Sequence, residues 1–205
     1  MNGVPPFLQE PEGTREEILK ATYLALCKHG YSDLTIQRIS DEFPKSKSLL
    51  YHHYDGKDDL LRDFLEFMLD RMDGLPPLTG DTAEDHIESI VEETFPPADV
   101  ADDDHFAQAL VELRAQAAHD EQYREYFTRA DRFIRKQVEH IIRSGIEEGV
   151  FQEVDPRETA ALFVITFTGT LTQRVTSNDA GLEESRAEFE RYVRELLLAD
   201  DPEKE

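Results

Sequence analysis

The chain has one cysteine, Cys27, so no disulfide can close within it, and the residue reads as a small buried hydrophobe. No stretch approaches the roughly 18 to 20 apolar residues of a membrane span. The first residues, MNGVPPFLQEPEGT, have neither the basic start nor the apolar centre of a secretory leader. A soluble, cytoplasmic protein without membrane contact is expected. No segment alternates with period two and no repeat recurs, which argues against sheets and solenoids. Catalytic signatures are missing too: G-x-S-x-G, the P-loop and G-x-G-x-x-G do not occur. Of the histidines, His52 and His53 are adjacent and face different ways on a helix, while His86, His105, His119 and His140 are far apart and lack ligand spacing. Neither an enzyme nor a bound metal or cofactor is expected.

Cations are the scarcest polar groups, 22 Lys and Arg against 45 Asp and Glu, for a net charge of −23. On its face this argues against a nucleic-acid partner, because phosphate binding relies on Lys and Arg. The distribution changes that reading. Residues 1–60 carry only −3 of the total, and within 34–57 the cations Arg38, Lys45, Lys47 and Lys57 outnumber Asp41, Glu42 and Asp55. The remaining acids are spread along the chain, and arginines outnumber lysines fifteen to seven. That pattern resembles proteins of salt-adapted cytoplasms, whose acidic surfaces hold water.

What is present is helical periodicity. Residues 1–13, with Pro5, Pro6 and Pro11, read as a loose arm. Thr14 and Glu17 have capping-box spacing, and Ile18, Ala21, Ala25 and Leu26 follow at helical steps up to Gly30. Ile36, Ile39 and Phe43 mark a second, short helix stopped by Pro44, and Leu50 and Tyr54 mark the core side of a third. Lys57 to about Met72 forms a fourth. Breaks are expected at Gly74–Pro77 and around Pro96–Asp104, with a helix from Thr82 to Phe95 between them. Further helices run through Phe106–Ala117, Asp120–Glu148, a segment after Asp155-Pro156, and Glu183–Leu198. Residues 160–175 are apolar nearly all round, so that helix is expected to be buried on several sides. The fold class is all-α.

Three short helices with a tight turn between the second and third have the layout of a helix-turn-helix, a weak signal alone. The specific signal is the run LTIQRISDEFPKSKSLLYHHYDGKDDLL at residues 34–61. Its Ser-Lys-x-x-Leu-Tyr-His-x-aromatic and Lys-acid-acid-Leu pieces resemble the DNA-binding segment of the TetR family of regulators. Residues 115–169, with GIEEGVF and Val154-Asp155-Pro156, are similar to that family's C-terminal domain. The resemblance implies an arm at 1–13, a helix-turn-helix domain at 14–60 and a larger helical effector-binding and dimerisation domain at 61–205. Two departures stand at the turn: Pro44 where the family usually has glycine, and Lys45 where it usually has an apolar residue.

Thr35, Gln37 and Arg38 open the second helix, where a hydroxyl or backbone N–H can meet phosphate or only cap the helix. Lys45, Ser46, Lys47 and Ser48 sit at the end of the recognition helix that reaches base edges, and Lys47 is the candidate for guanine O6/N7. By resemblance Tyr51 and His52 contact the DNA backbone and Lys57 clamps a phosphate.

The resemblance further implies a homodimer joined by its last two long helices. The apolar helix at 160–175 and a stripe of Phe189, Tyr192 and Leu196 fit that expectation, or equally an internal core. Phe67, Phe106, Leu110, Phe133, Phe163 and Phe167 are candidates for an apolar effector pocket, with Arg114 to orient a polar end. The expected function is a transcriptional repressor released from a pseudo-palindromic operator by a small apolar effector. An effector-independent DNA-binding protein and a helical adaptor without DNA binding are the alternatives.

Overall fold

The computed structural model describes residues 6–73, 82–96, 105–178 and 181–197. Among them the regular elements are helices: α1 (Pro6–Gln9), α2 (Thr14–His29), α3 (Ile36–Glu42), α4 (Lys47–His53), α5 (Lys57–Asp73), α6 (Ala83–Thr94), α7 (His105–Gln116), α8 (Glu121–Glu148), α9 (Pro156–Thr176) and α10 (Leu182–Tyr192). A π turn, Val193–Leu197, continues α10. The all-α class follows from the periodicity that the sequence displays. The expected breaks at Gly74–Pro77 and Asp102–Asp104 lie outside the described residues.

The helices group into two compact units, Met1–Leu75 with Asp99–Ala130 and Pro76–Ala98 with Asp131–Glu205. α5 and α7 therefore belong to the compact unit that contains α2, α3 and α4.

In the first unit α2 is the hub, packing on α1, α3, α5 and α7. The residues at helical spacing, Ile18, Ala21, Ala25 and Leu26, are all buried there, with Ile39, Leu50, Leu60, Phe64 and Leu113 around them. Two local expectations give way. Residues 6–9 form a turn of helix whose Leu8 is fully buried, while Phe7 meets Phe67 edge-on at 6.2 Å, so this stretch of the expected arm is anchored by its apolar pair. The capping box at Thr14 and Glu17 does not form. α2 is capped by Gly13 with no side-chain bond, Glu16 accepts from Glu12 N at 3.1 Å, and Glu17 pairs instead with Lys45.

In the second unit α6 packs on α9, over a core of Ile87, Val91, Ile142, Phe151, Ala160, Phe163 and Phe189. A capping box does form here, between Thr82 and Asp85. Asp155 caps α9 by accepting from Arg157 N and Glu158 N, with Pro156 in the first turn, as Asp-Pro predicts. α8 ends where Gly149 turns left-handed at φ 75°. Phe151 then folds back on Gly145, where a Cβ would lie 2.1 Å from the ring. α9 is not buried all round: Ile165 is 70% exposed and Leu162 41%. Phe189 packs inward on Phe163 at 4.9 Å and so is core within the unit. Tyr192 is half-buried, and the side chain of Leu196 lies outside the described residues.

Candidate nucleic-acid interface

α3 and α4 are short, seven residues each, and each has one fully buried apolar residue, Ile39 and Leu50, with Ile36 and Leu49 packed partly buried against the same core. Phe43 closes the turn between them, buried in the same cluster. With the apolar side so small, the other faces are free to be polar. Thr35, Gln37, Lys45, Ser46, Ser48, Tyr51 and His52 are exposed, while Arg38, Lys47 and Lys57 are half-buried. Tyr51 is the most conspicuous of these, an aromatic with 55% of its surface in water.

The side chains are not equally free. Thr35 caps α3 by accepting from Arg38 N at 3.2 Å, so its hydroxyl proton remains available to an outside acceptor. Arg38 turns back onto Asp33. Lys47 Nζ donates to Gln37 Oε1 at 2.6 Å and sits 5.6 Å over the ring of Tyr51, one turn further along α4. Gln37 in turn donates to Asp41 Oδ1 at 2.7 Å. Gln37, Lys47 and Tyr51 thus form one polar cluster joining α3 to α4. Ser46 and Ser48 share a hydroxyl contact at 3.0 Å.

Lys45 behaves otherwise. It lies against α2, where its Nζ donates to Thr14 Oγ1 at 3.2 Å and pairs with Glu17. The extra cation at the turn is therefore partly neutralised from within. Lys57 stands 4.3 Å over the ring of Tyr31 and donates to the Tyr31 carbonyl at 3.4 Å, which holds the loop between α2 and α3 to the start of α5.

Two supports were not visible in the sequence. Asp63 of α5 accepts from Tyr54 OH at 2.5 Å and from Arg15 Nε and Nη2 at 2.9 and 2.6 Å, which ties the C-terminal end of α4 to α2 and α5. Burial alone would push the Asp63 carboxyl up, but the hydrogen bonds from Arg15 and Tyr54 outweigh it and hold the group below its ordinary value. Burial and the same carboxylate push the Tyr54 phenol well up. The second support is Glu112 of α7, whose Oε2 accepts from Tyr31 N at 2.6 Å and Ser32 N at 3.2 Å just after Gly30, a left-handed residue at φ 68°. No helical spacing could have exposed these pairs, since Asp63 stands nine residues from Tyr54 and 48 from Arg15, and Glu112 about 80 from Tyr31 and Ser32.

The residues expected to line an effector pocket divide between the units. Phe67 is core in the first, flanked by Phe7 and by Arg71 at 4.9 Å over its ring. Phe106 meets Tyr23 at 5.0 Å, Leu110 is partly buried in the same cluster, and Arg114 stands 4.8 Å over Phe127. In the second unit Phe163 is core, and Phe133 and Phe167 are half-buried.

Comparison with known proteins matches this arrangement at both ends of the chain. Residues 18–64 match the family described as bacterial regulatory proteins, tetR family, and residues 83–198 match the C-terminal region of the BetI-type transcriptional repressors. A TetR transcription regulator from Haloarcula marismortui is 34% identical, with a TM-score of 0.76 over 89% of this chain and 97% of that one. The uncharacterized HTH-type transcriptional regulator YfiR of Bacillus subtilis is 27% identical over 96% of this chain and 98% of its own length. A transcriptional regulator from Saccharomonospora viridis, solved in complex with choline, is 19% identical and shares the fold at a TM-score of 0.70 over 91% of this chain and 98% of that one. No described helix is long and apolar enough to cross a membrane. The chain belongs to the TetR family of DNA-binding transcriptional regulators.

Proposed function

We propose that the protein is a cytoplasmic repressor in which residues 14–60 read a pseudo-palindromic operator and the remainder pairs two copies and senses a small, apolar effector. The observation that carries this reading is the polar outer face of α4. Ser46, Ser48 and Tyr51 are exposed there and Lys47, half-buried, is held beside them by Gln37, on a helix narrow enough for a major groove. In this reading Lys47 leaves Gln37 for a guanine edge, and Thr35, Tyr51, His52 and Lys57 meet phosphates on either side. Pairing of two copies is supported by the exposed Leu162 and Ile165 on α9, an apolar surface that water disfavours. Twofold symmetry then sets the half-sites about one duplex turn, roughly 34 Å, apart.

Effector response has a physical route within the first unit. α7 carries Phe106 and Leu110 in the apolar cluster and, through Glu112, grips the backbone N–H groups of Tyr31 and Ser32 ahead of α3. A ligand that shifts α7 moves that loop and changes the state in which α3 and α4 are presented. The test is selection of duplexes from a random pool by the purified protein, followed by salt titration of the winners. A twofold-related motif with a negative log–log salt slope is expected. Failure to enrich any duplex, or an enriched site whose affinity Lys47→Ala leaves unchanged, overturns the reading.

A further inference from the structure

In a chain with twice as many acids as bases, the cations of the described residues are nearly all engaged. Arg15, Lys28, Arg38, Lys45, Arg62 and Arg71 sit on carboxylates, as do Arg124, Arg129, Arg143, Arg186, Arg191 and Arg194. Lys20 and Lys47 hold a backbone carbonyl and an amide oxygen, Lys57 and Arg114 lie over rings, and Arg174 is also engaged. Four side chains remain that make no such contact among the described residues: Arg132, Arg135, Lys136 and Arg157. All four line the same groove of about 580 Å³ in the second unit, where α8 faces the start of α9.

Chance pairing is what a surface this acidic would be expected to give, so their freedom has a structural cause. Three carboxylates share the groove, and none lies within ion-pairing distance of these cations. Glu139 is drawn to Arg143 at 2.6 Å, and Asp155 is committed to capping α9 through Arg157 N and Glu158 N at 2.8 and 3.1 Å. Glu158 also lines the groove. Arg132, Arg135 and Lys136 fall at helical steps of three and four, on one face of α8. The start of α9, whose first N–H groups are already taken up by Asp155, brings Arg157 to the other side.

The geometry points to a binding site for a small ligand carrying two or more adjacent phosphates. Arg132, Arg135 and Arg157 supply forked donors that match phosphate oxygens, and Lys136 supplies a compact charge. The groove's volume lies in the range of small-molecule sites, roughly 300 to 1,000 Å³. A duplex running on past the groove would meet a segment, residues 61–205, that carries −20 of the net charge, whereas a small polyanion ends within it.

The test is calorimetric titration of the full chain with inorganic tripolyphosphate, with orthophosphate for comparison, at about 0.2 M KCl. Saturable binding of one tripolyphosphate per protomer is expected, at least about tenfold tighter than orthophosphate, and weakened at least about tenfold in R132A/R135A. Arg129→Ala, at a paired arginine outside the groove, leaves it unchanged. Thermal melting checks that the double variant is folded; if it is not, Lys136→Glu is read with the same probe and the same loss is expected. Absence of saturable binding, or equal affinity in wild type and variant, overturns the proposal. So does a random duplex that displaces tripolyphosphate and loses affinity in the same variant, because the groove is then a nucleic-acid surface. None of these outcomes depends on operator recognition by α4.

Discussion

Replacing Asp63 by alanine removes the acceptor on which three hydrogen bonds converge, two from Arg15 and one from Tyr54. Tyr54 is buried, so its hydroxyl is left without an acceptor, at about 1–2 kcal/mol. The Arg15 side chain is half exposed, so its pair is discounted to about 1 kcal/mol or less. The sum, about 1–3 kcal/mol, corresponds to a fall in Tm of about 2–12 °C for a chain of this size. The effect depends on pH with a definite sign. The folded carboxyl titrates below its unfolded value, so its contribution is complete above the unfolded pKa, about 3.9, and disappears as pH falls through the folded value. Thermal melting of wild type and variant at pH 7 and at successively lower pH therefore shows a gap that narrows in acid. In a Tyr54→Phe background the same substitution costs less, because the hydroxyl has already gone. A gap below about 1 °C, or one constant between pH 7 and 3, refutes the assignment of Asp63 as the anchor of α4.

Lys47→Ala weakens binding to a selected operator by about 1–3 kcal/mol and relaxes preference at one base pair, read by titration against single-base variants. Glu17→Gln frees Lys45 from its pairing with α2. Two released lysines per dimer steepen the log–log salt slope by about 2, and an unchanged slope means that Lys45 stays away from phosphate. Gly145→Ala forces a Cβ into the ring of Phe151, a 2.1 Å approach to a buried side chain, and lowers stability by about 1–3 kcal/mol on melting.

The sequence carried the local physics well. Ile18, Ala21, Ala25 and Leu26 were legible as one face of α2 because burial obeys the helical period, and Asp155-Pro156 was legible as a helix start because both residues act on their own backbone. What was not legible depends on partners brought close only by the fold. Thr14 and Glu17 have the spacing of a capping box, yet Glu17 takes Lys45 across the turn, a tertiary ion pair in place of a local hydrogen bond. The proline-rich start hid Phe7 and Leu8, whose burial outweighs the turn-forming tendency around them. Asp63 and Glu112 resemble any other acid on a polar helix face until Arg15, Tyr54 and the loop at Tyr31 come within reach.

A net charge of −23 poses a problem for any protein that must approach phosphate, and the arrangement of its cations bears on how that is met. At molar salt the Debye length shrinks to about 3 Å, so the acid surface repels DNA only at contact, and what decides binding is which donors stand at contact range. In the proposed reading of α3 and α4 these are Lys47, held by Gln37 and Tyr51, and uncharged hydroxyls such as Ser46 and Ser48. Neutral donors lose little to screening because their hydrogen bonds are short-range. An interface of this kind gives up the long-range attraction that a basic reader enjoys in dilute buffer and keeps the short-range recognition that remains in concentrated salt.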